Sequence, residues 1–419
     1  MLDEVLNRYR PAAAALSDWG KSHRFAGSGD RAAIGTLVYD ALRERPVAAF
    51  LMGEETPRAL MLGTLVLVSG QSVQQLGELF DGSEHSPASL SEEEVRRIGA
   101  GLPAELPLHV AARAPEWLVP SMQRVFGARL AEEGEALARR APVDLRVNSL
   151  KATHDKVLKA LEPYGAVATP HAPQGIRIPP PKDLDKSPNV EAEPAHGKGW
   201  FEVQDEGSQI AALLSGAGPR LQVLDLCAGA GGKTLAMAAE MHNTGQIYAY
   251  DTDKLQLRPI FDRLKRAGVR NAQVLPGGNE TELIGLGDRF DVVLVDAPCS
   301  GSGTWRRRPD SKWRMRPQQL AERQKDQREV LELGWHLVKP GGRLVYVTCS
   351  VLPEENGDQV EAFLAAHPQF RLEPFAASWE KFVGPSPPAS ADGRADTLLL
   401  TPASHGTDGF FVAIMTRAA

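Results

Sequence analysis

Three cysteines, Cys227, Cys299 and Cys349, lie in the second half of a 419-residue chain, with no Cys-x-x-Cys pair and no compact Cys/His cluster among them. Disulfide staples and a structural zinc site are therefore not expected. Two of the three stand where a thiol could do chemistry. Asp296-Ala-Pro-Cys-Ser-Gly-Ser-Gly-Thr304 follows the apolar stretch Phe290–Val295, and Thr348-Cys-Ser350 follows Arg343–Val347 after the turn Lys339-Pro-Gly-Gly342. A thiolate is both a strong nucleophile and a good leaving group. Taken singly, a free cysteine is more often a small buried hydrophobe than a catalyst. Two thiols and an acid at the mouths of strands in one sheet, with a ligand-binding turn nearby, weigh against that reading.

That turn is Val223-Leu-Asp-Leu-Cys-Ala-Gly-Ala-Gly-Gly-Lys-Thr234, a buried strand that runs into glycines and then a helix over Leu235–Glu240. Glycines let backbone approach a ligand closely, and the helix start offers free N–H groups. Lys233 invites a phosphate-binding reading, but the pattern GxxxxGK[ST] would need glycine at Cys227. Asp251 ends the next strand, where a carboxylate can accept hydrogen bonds from a ribose diol. On these signals alone a nicotinamide dehydrogenase, a methyltransferase and a plain tight turn beside a solvated acid all stay open.

The elements that must carry these residues are legible as texture. From Leu221 onward, strand-like runs at Val223–Leu226, Ile247–Tyr250, Gln273–Leu275, Val292–Val295 and Leu344–Val347 alternate with helical ones, which predicts a mostly parallel sheet with helices on both faces. Upstream, Ile34, Leu37, Val38, Ala41 and Leu42 recur at helical spacing, Ser91 and Glu94 form a capping box, Gly101–Pro107 marks a joint and Trp117–Arg140 reads as helical. Between these halves lie β-like runs at Val143–Asn148 and Ile176–Ile178, a helix around Val157–Leu161, and a Pro-rich surface loop over Pro179–Pro194. The expected organisation is a helical region over 1–140, a small α+β module with a linker over 141–200, and an α/β domain over 201–419.

Composition excludes little beyond disorder and fibres: 42% hydrophobic and 24% charged residues are ordinary for a folded enzyme. The formal charge of −6 does not announce a nucleic-acid binder, but it is unevenly spread. Arg306, Arg307, Arg308, Lys312, Arg314 and Arg316 face one acid, Asp310, in a single short run. No signal-peptide core and no long apolar span occurs, so the chain reads as cytoplasmic, reduced and free of membrane contact.

The pair DAPCSGSGT and TCSVLPEEN resembles the NOL/NOP/Sun family of RNA cytosine-5 methyltransferases. Phe201-Glu-Val-Gln-Asp-Glu-Gly-Ser208, Arg307-Arg-Pro-Asp-Ser-Lys-Trp313 and Asp408-Gly-Phe-Phe411 match it too, and Asp30–Arg45 is similar to the NusB-like domain of the RsmB-like branch. The resemblance implies a Rossmann-like class I methyltransferase domain with a seven-stranded sheet, preceded by an all-α NusB-like RNA-binding domain and the small α+β module. It implies S-adenosylmethionine as cofactor, held by Cys227, Ala228, Gly229, Ala230, Gly231, Gly232, Lys233, Asp251 and Asp296. The family's turn usually carries a proline where Ala230 stands. Asn279, in Pro276-Gly-Gly-Asn279, replaces an acid and is read as the acceptor to the adenine amino group.

In the implied mechanism Cys349 adds to C6 of cytosine, Cys299 serves release, Asp296 meets N3 and the exocyclic amino group, and Lys233 stands beside them. Cys227 is read as structural within the turn. The basic run would touch RNA through Arg306, Arg307, Arg308, Lys312 and Arg314, with Trp305 and Trp313 stacking or packing in the core. The substrate implied is small-subunit (16S) ribosomal RNA, acted on by a monomer; transfer RNA, or a non-catalytic assembly factor that only binds RNA, are the rival readings. A DNA cytosine-5 methyltransferase would use the Pro-Cys thiol, Cys299, as nucleophile, and Thr348-Cys349-Ser350 argues against it.

Overall fold

The computed structural model describes residues 1–181 and 188–419. Helices fill the first 136 residues. The face expected from Ile34 to Leu42 lies on the helix Ser28–Arg43, where Val38, Ala41 and Leu42 are buried against Leu2, Val5, Ala12 and Ala15. The capping box forms as the spacing predicts: Glu94 N donates to Ser91 Oγ at 3.2 Å and Ser91 N to a Glu94 carboxylate oxygen at 2.8 Å. No helix covers Gly101–Pro107, whereas Trp117–Arg140 is broken at Gly127 into Val119–Phe126 and Leu130–Ala136.

A small antiparallel sheet follows, made of β1 (Val143–Val147), β2 (Val167–Ala168), β3 (Gly175–Ile178) and β4 (Phe201–Val203) in the order β2-β3-β1-β4. The helix His154–Ala160 packs Val157 against Leu145, Val147 and Ile176. Of the expected loop Pro179–Pro194, residues 182–187 lie outside the described residues, and Val190–Ala192 is a short 3-10 turn that buries Val190.

The large sheet holds β5 (Gln222–Asp225), β6 (Gln246–Ala249), β7 (Ala272–Val274), β8 (Phe290–Asp296), β9 (Val338–Thr348), β10 (Phe370–Glu373), β11 (Leu398–Leu400) and β12 (Phe410–Arg417). Its order is β10-β12-β9-β8-β5-β6-β7, with β11 paired to β12. The five strands from β5 to β9 are parallel, as their apolar runs and intervening helices predict, and β12 enters antiparallel between β9 and β10. The sheet thus has eight strands rather than seven, because the short Leu398–Leu400 run finds an edge on β12. Both faces are covered, by clusters centred on Leu224, Val293 and Tyr346 on one side and on Val223, Val292 and Val345 on the other.

The basic run lies at the junction of these parts, and the structure corrects its reading as an RNA arm. Arg306 is 5% exposed; with Arg307 it reaches the carboxylates of Asp205 and Asp408. Lys312 is 1% exposed, donates to the Arg113 carbonyl at 2.6 Å and faces the rings of Trp305 and Trp313. Burial pushes its ammonium pKa down to about 7. Asp310 accepts from Ala12 N, and Trp313 packs on the helical core while its indole N–H donates to Leu42 O at 2.6 Å. The physical reason is pairing at a distance: Arg306, Arg307 and Lys312 each have a carboxylate or carbonyl within reach from another part of the chain, so burial is compensated. Arg308 and Arg316 remain exposed, and Arg314 is half-buried beside Asp310.

Removing one member of a buried charge cluster strands the others without water. Arg306→Ala is expected to cost about 3–5 kcal/mol of unfolding free energy in urea, while exposed Arg308→Ala stays within about 0.5 kcal/mol of the parent chain. Equal, small losses in both would show that the cluster is solvated.

Candidate active site

The Gly-rich turn leaves β5 at Asp225 and enters the helix Gly232–Glu240. Two of its glycines are required by backbone shape, Gly229 with φ 50° and Gly231 with φ 83°. At Gly231 a Cβ would also stand 2.4 Å from Ile260 Cγ1, so this residue seats the turn on the neighbouring helix. Asp251, just past β6, accepts from Gly229 N at 2.8 Å and thereby ties the turn to the next strand end. A cleft of about 820 Å³ opens here, lined by Cys227, Ala228, Gly229, Ala230, Gly232, Lys233, Asp251 and Asp296.

Of the expected cofactor residues, Gly231 and Asn279 do not line this cleft. Asn279 caps the helix Glu280–Ile284: its Oδ1 accepts from Glu282 N and its amide donates to the Glu282 carboxylate. Asparagine is favoured at a helix start for that reason, and the bond turns the side chain towards its own helix. The acid that reaches the cleft from this segment is the next residue, Glu280.

Lys233 is 7% exposed and donates to Asp296 Oδ2 at 2.6 Å, with its ammonium 5.2 Å from the Phe410 ring. Beneath the pair sits Asp225, which the sequence reading did not single out. One of its oxygens accepts from Thr234 Oγ1 at 2.6 Å; the other, Oδ1, is buried without a partner. Burial, against the Thr234 bond and with the Asp296 charge, pushes its pKa up to about 7. A lone acid inside the apolar run Val-Leu-Asp-Leu was the signal that could have found it. The Cys227 thiol is raised well above its usual range by burial and by Asp251, which suits an inert wall rather than a nucleophile.

The two remaining thiols meet. β8 and β9 are parallel neighbours with Asp296 opposite Val347, so the chain beyond each strand carries Cys299 and Cys349 to the same place. Their sulphurs are 3.4 Å apart. The hydrogen bond with Cys349, then burial, raises Cys299 well above the ordinary thiol range, Glu355 adding to it. Cys299 opens into a second cavity of about 200 Å³ whose lining includes Ser300, Ser311, Arg314, Glu322 and Arg323. Glu355, within the quoted LPEEN run but given no role, is fully buried between the two cysteine loops.

Comparison with known proteins bears on this arrangement. Residues 216–416 match the family described as "16S rRNA methyltransferase RsmB/F", and 114–185 match "Methyltr_RsmF/B-like, ferredoxin-like domain". Together these ranges take in more than half of the chain, and they include the cleft and both thiols. The chain belongs to the RsmB/F methyltransferase family. "Ribosomal RNA small subunit methyltransferase B" of Sodalis glossinidius is 35% identical over 305 residues, 72% of this chain and 65% of that protein. The Salmonella typhi protein of the same name is 39% identical over 261 residues, 62% of this chain and 59% of its own length. The chain therefore spans somewhat under two thirds of these relatives.

Among solved structures, PH0851 is 28% identical with a TM-score of 0.73, covering 99% of this chain and 97% of that one. NSun6 from Pyrococcus horikoshii with SFG, 22% identical, covers 73% of this chain and 98% of its own with a TM-score of 0.63, which shows a shared fold. The large sheet of this RsmB/F-family chain is the mostly parallel sheet expected from its alternating strands and helices, and the Rossmann-like methyltransferase sheet that the resemblance implied. The ferredoxin-like match takes in β1 to β3 and reaches back to residue 114, into the last helices of the region expected to end at 140.

The raised Asp225 pKa has a stability consequence. Below about pH 4 the carboxyl is protonated in folded and unfolded chains alike; between there and about pH 7 the unfolded chain has released the proton and the folded one holds it. Wild-type stability should fall across that window and level off above it. In Asp225→Asn this fall is expected to be missing, so the variant gains on the wild type from pH 4 to pH 7 in urea titrations. Parallel pH profiles for the two proteins would refute the assignment.

Proposed function

We propose that this chain is an S-adenosylmethionine-dependent RNA methyltransferase that places a methyl group on C5 of cytosine, with small-subunit (16S) ribosomal RNA as substrate. The observation that carries the reading is the pair of thiols in contact at adjacent strand ends beside a nucleoside-sized cleft. The names of the curated relatives support the ribosomal substrate.

The residues present fit the cofactor. The left-handed turn gives it backbone approach, Asp251 offers carboxylate oxygens to a ribose, Glu280 is an acceptor at the cleft wall, and the unpartnered Asp225 Oδ1 suits a cationic group. When bound, S-adenosylmethionine supplies an electrophilic methyl on a sulfonium. Cytosine C5 becomes nucleophilic only once something adds to C6, and Cys349 as thiolate does so. Asp296, bonded to Lys233, is assigned to N3 and the exocyclic amino group, where a proton passed from this pair to N3 offsets the negative charge that C6 attack develops on the ring. After methyl transfer the C5 proton passes to a base and the electron pair of that C–H bond expels Cys349 as a thiolate, the step in which Cys299 serves.

A base stacked in a helix cannot reach sulphurs recessed behind strand ends, so the target is single-stranded or flipped out. Phosphate contact falls to exposed Arg308 and to Arg314 on the wall of the Cys299 cavity, since Arg306 and Lys312 are buried and the half-buried Arg307 is paired with Asp205 and Asp408. The helical region over 1–140 is the NusB-like RNA-docking part of the same reading.

Cys349→Ala is expected to abolish both methyl transfer and covalent capture of RNA, whereas Cys299→Ala should accumulate an RNA adduct that survives SDS. The opposite pattern would exchange the roles of the thiols. Bisulfite sequencing of total RNA from a deletion strain should show one 16S cytosine signal lost; a loss in transfer RNA would reassign the substrate, and no loss at all would leave an RNA-docking assembly factor.

A further inference from the structure

Two thiols in contact share a difficulty: ionising both sets like charges side by side, whereas one thiolate is stabilised by the other's S–H. Something must decide which sulphur keeps its proton. Glu355, on the 3-10 turn Pro353–Glu355, is 0% exposed and is shared between the residues that follow each cysteine. Its Oε1 accepts from Ser300 N at 2.7 Å and from Gln327 Nε2 at 3.1 Å; its Oε2 accepts from Ser300 Oγ and Ser350 Oγ. Burial raises the carboxyl pKa, while these donors pull it back and satisfy the ionised form. Neighbouring bonds continue the clamp, with Asn356 Nδ2 donating to Ser350 O at 2.9 Å and Gly303 N to Cys349 O at 3.0 Å.

Glu355 adds to what the Cys349 contact and burial impose on Cys299, and the other groups near that thiol do not oppose it. Tyr346, on β9, has its phenol proton committed to the Glu355 backbone carbonyl at 2.6 Å. Across the cavity, Arg314 pairs with Asp310 and Arg323 with Asp326, and Glu322 adds negative charge. Resting on the proposed roles of the two cysteines, we propose that Glu355 is a positioning residue: its carboxylate holds the two loops at thiol contact and keeps negative charge off Cys299, so that Cys349 is the sulphur that ionises. Two of the four donors to the carboxylate, a backbone N–H and a hydroxyl, belong to Ser300, the residue next to Cys299; the Cys349 loop supplies one, the Ser350 hydroxyl.

The test is iodoacetamide alkylation of the full chain from pH 6 to pH 10, read at each cysteine by peptide mass spectrometry, alongside steady-state kinetics. Glu355→Gln keeps the shape and removes the charge. It should speed Cys299 alkylation roughly tenfold below its midpoint, equivalent to about one pKa unit, and lower kcat with KM for RNA unchanged. Ser350→Ala cuts the link to the Cys349 loop and leaves the charge: kcat should fall while the Cys299 profile stays at its wild-type midpoint. Wild-type alkylation profiles in Glu355→Gln would overturn the electrostatic part, and wild-type kcat in Ser350→Ala the positional part. Should Glu355→Gln fail to fold, Glu355→Asp, which retains the charge, must keep the slow Cys299 alkylation, and loss of that protection would reject the proposal. Because alkylation needs neither RNA nor cofactor, a chain without methyl transfer can still show the shift.

Discussion

Two arginines and two aspartates, drawn from three distant stretches of chain, meet in the interior, and the thiol site is built on that meeting. Arg306 and Arg307 leave the Cys299 loop through Thr304 and Trp305; Asp205 caps the helix Glu206–Leu214; Asp408 leads into β12. Burial alone would lower the Arg307 pKa, but Asp408 and Asp205 outweigh it and raise it. With all four groups mutually satisfied, the cluster fixes the distance between Gly303 and Gly409, whose backbones pass so closely that a Cβ on Gly303 would lie 2.1 Å from Gly409 O. Gly409 N donates to Gly303 O and Gly303 N to Cys349 O, so ion pairs, glycine contact and thiol register form one mechanical chain. Such a cluster adds little net stability compared with an apolar core of equal volume. Its contribution is geometric: it sets where one loop lies against another.

Sheet order explains why two thiol-bearing loops meet in one place. Parallel strands all point their carboxyl ends the same way, and β8 and β9 are adjacent and in register at those ends. The antiparallel β12 then returns beside β9, bringing Phe410 over Lys233 and Asp408 to the arginines. A purely parallel sheet would have delivered the thiols without the strand that braces them.

Much of this was legible beforehand because buried parallel strands read as apolar runs, and β5 to β9 lie within a residue or two of the runs that announce them, apart from β9, which starts earlier through its Lys-Pro-Gly-Gly turn. The cysteines, Asp296 and Asp251 were legible as residues at or just past strand ends, and Lys233 as the start of the helix after the Gly-rich turn. What was not legible was pairing at a distance. Charge density along the sequence cannot tell a solvated arginine from one whose carboxylate arrives from residue 205 or 408, and so Arg306, Arg307 and Lys312 read as surface. Asn279 failed for a nearer reason: its choice between ligand and helix cap depends on where the following helix begins. Glu355 carries no spacing signal, since its role comes from burial, and Asp225 only that of a lone acid in an apolar run.

The same pairing changes how RNA affinity must arise. Counterion release scales with the number of phosphates met by free cations, and with Arg306 and Lys312 buried and Arg307 paired to carboxylates the run leaves Arg308, Arg314 and Arg316 for that role. Trp313 and Lys312 instead weld the helical region to the Cys299 side of the catalytic domain, through Leu42 O and the Arg113 carbonyl. In the proposed reading, an RNA held at the helical region meets the thiols at a fixed offset, so the shape of a folded RNA spanning both parts carries selectivity.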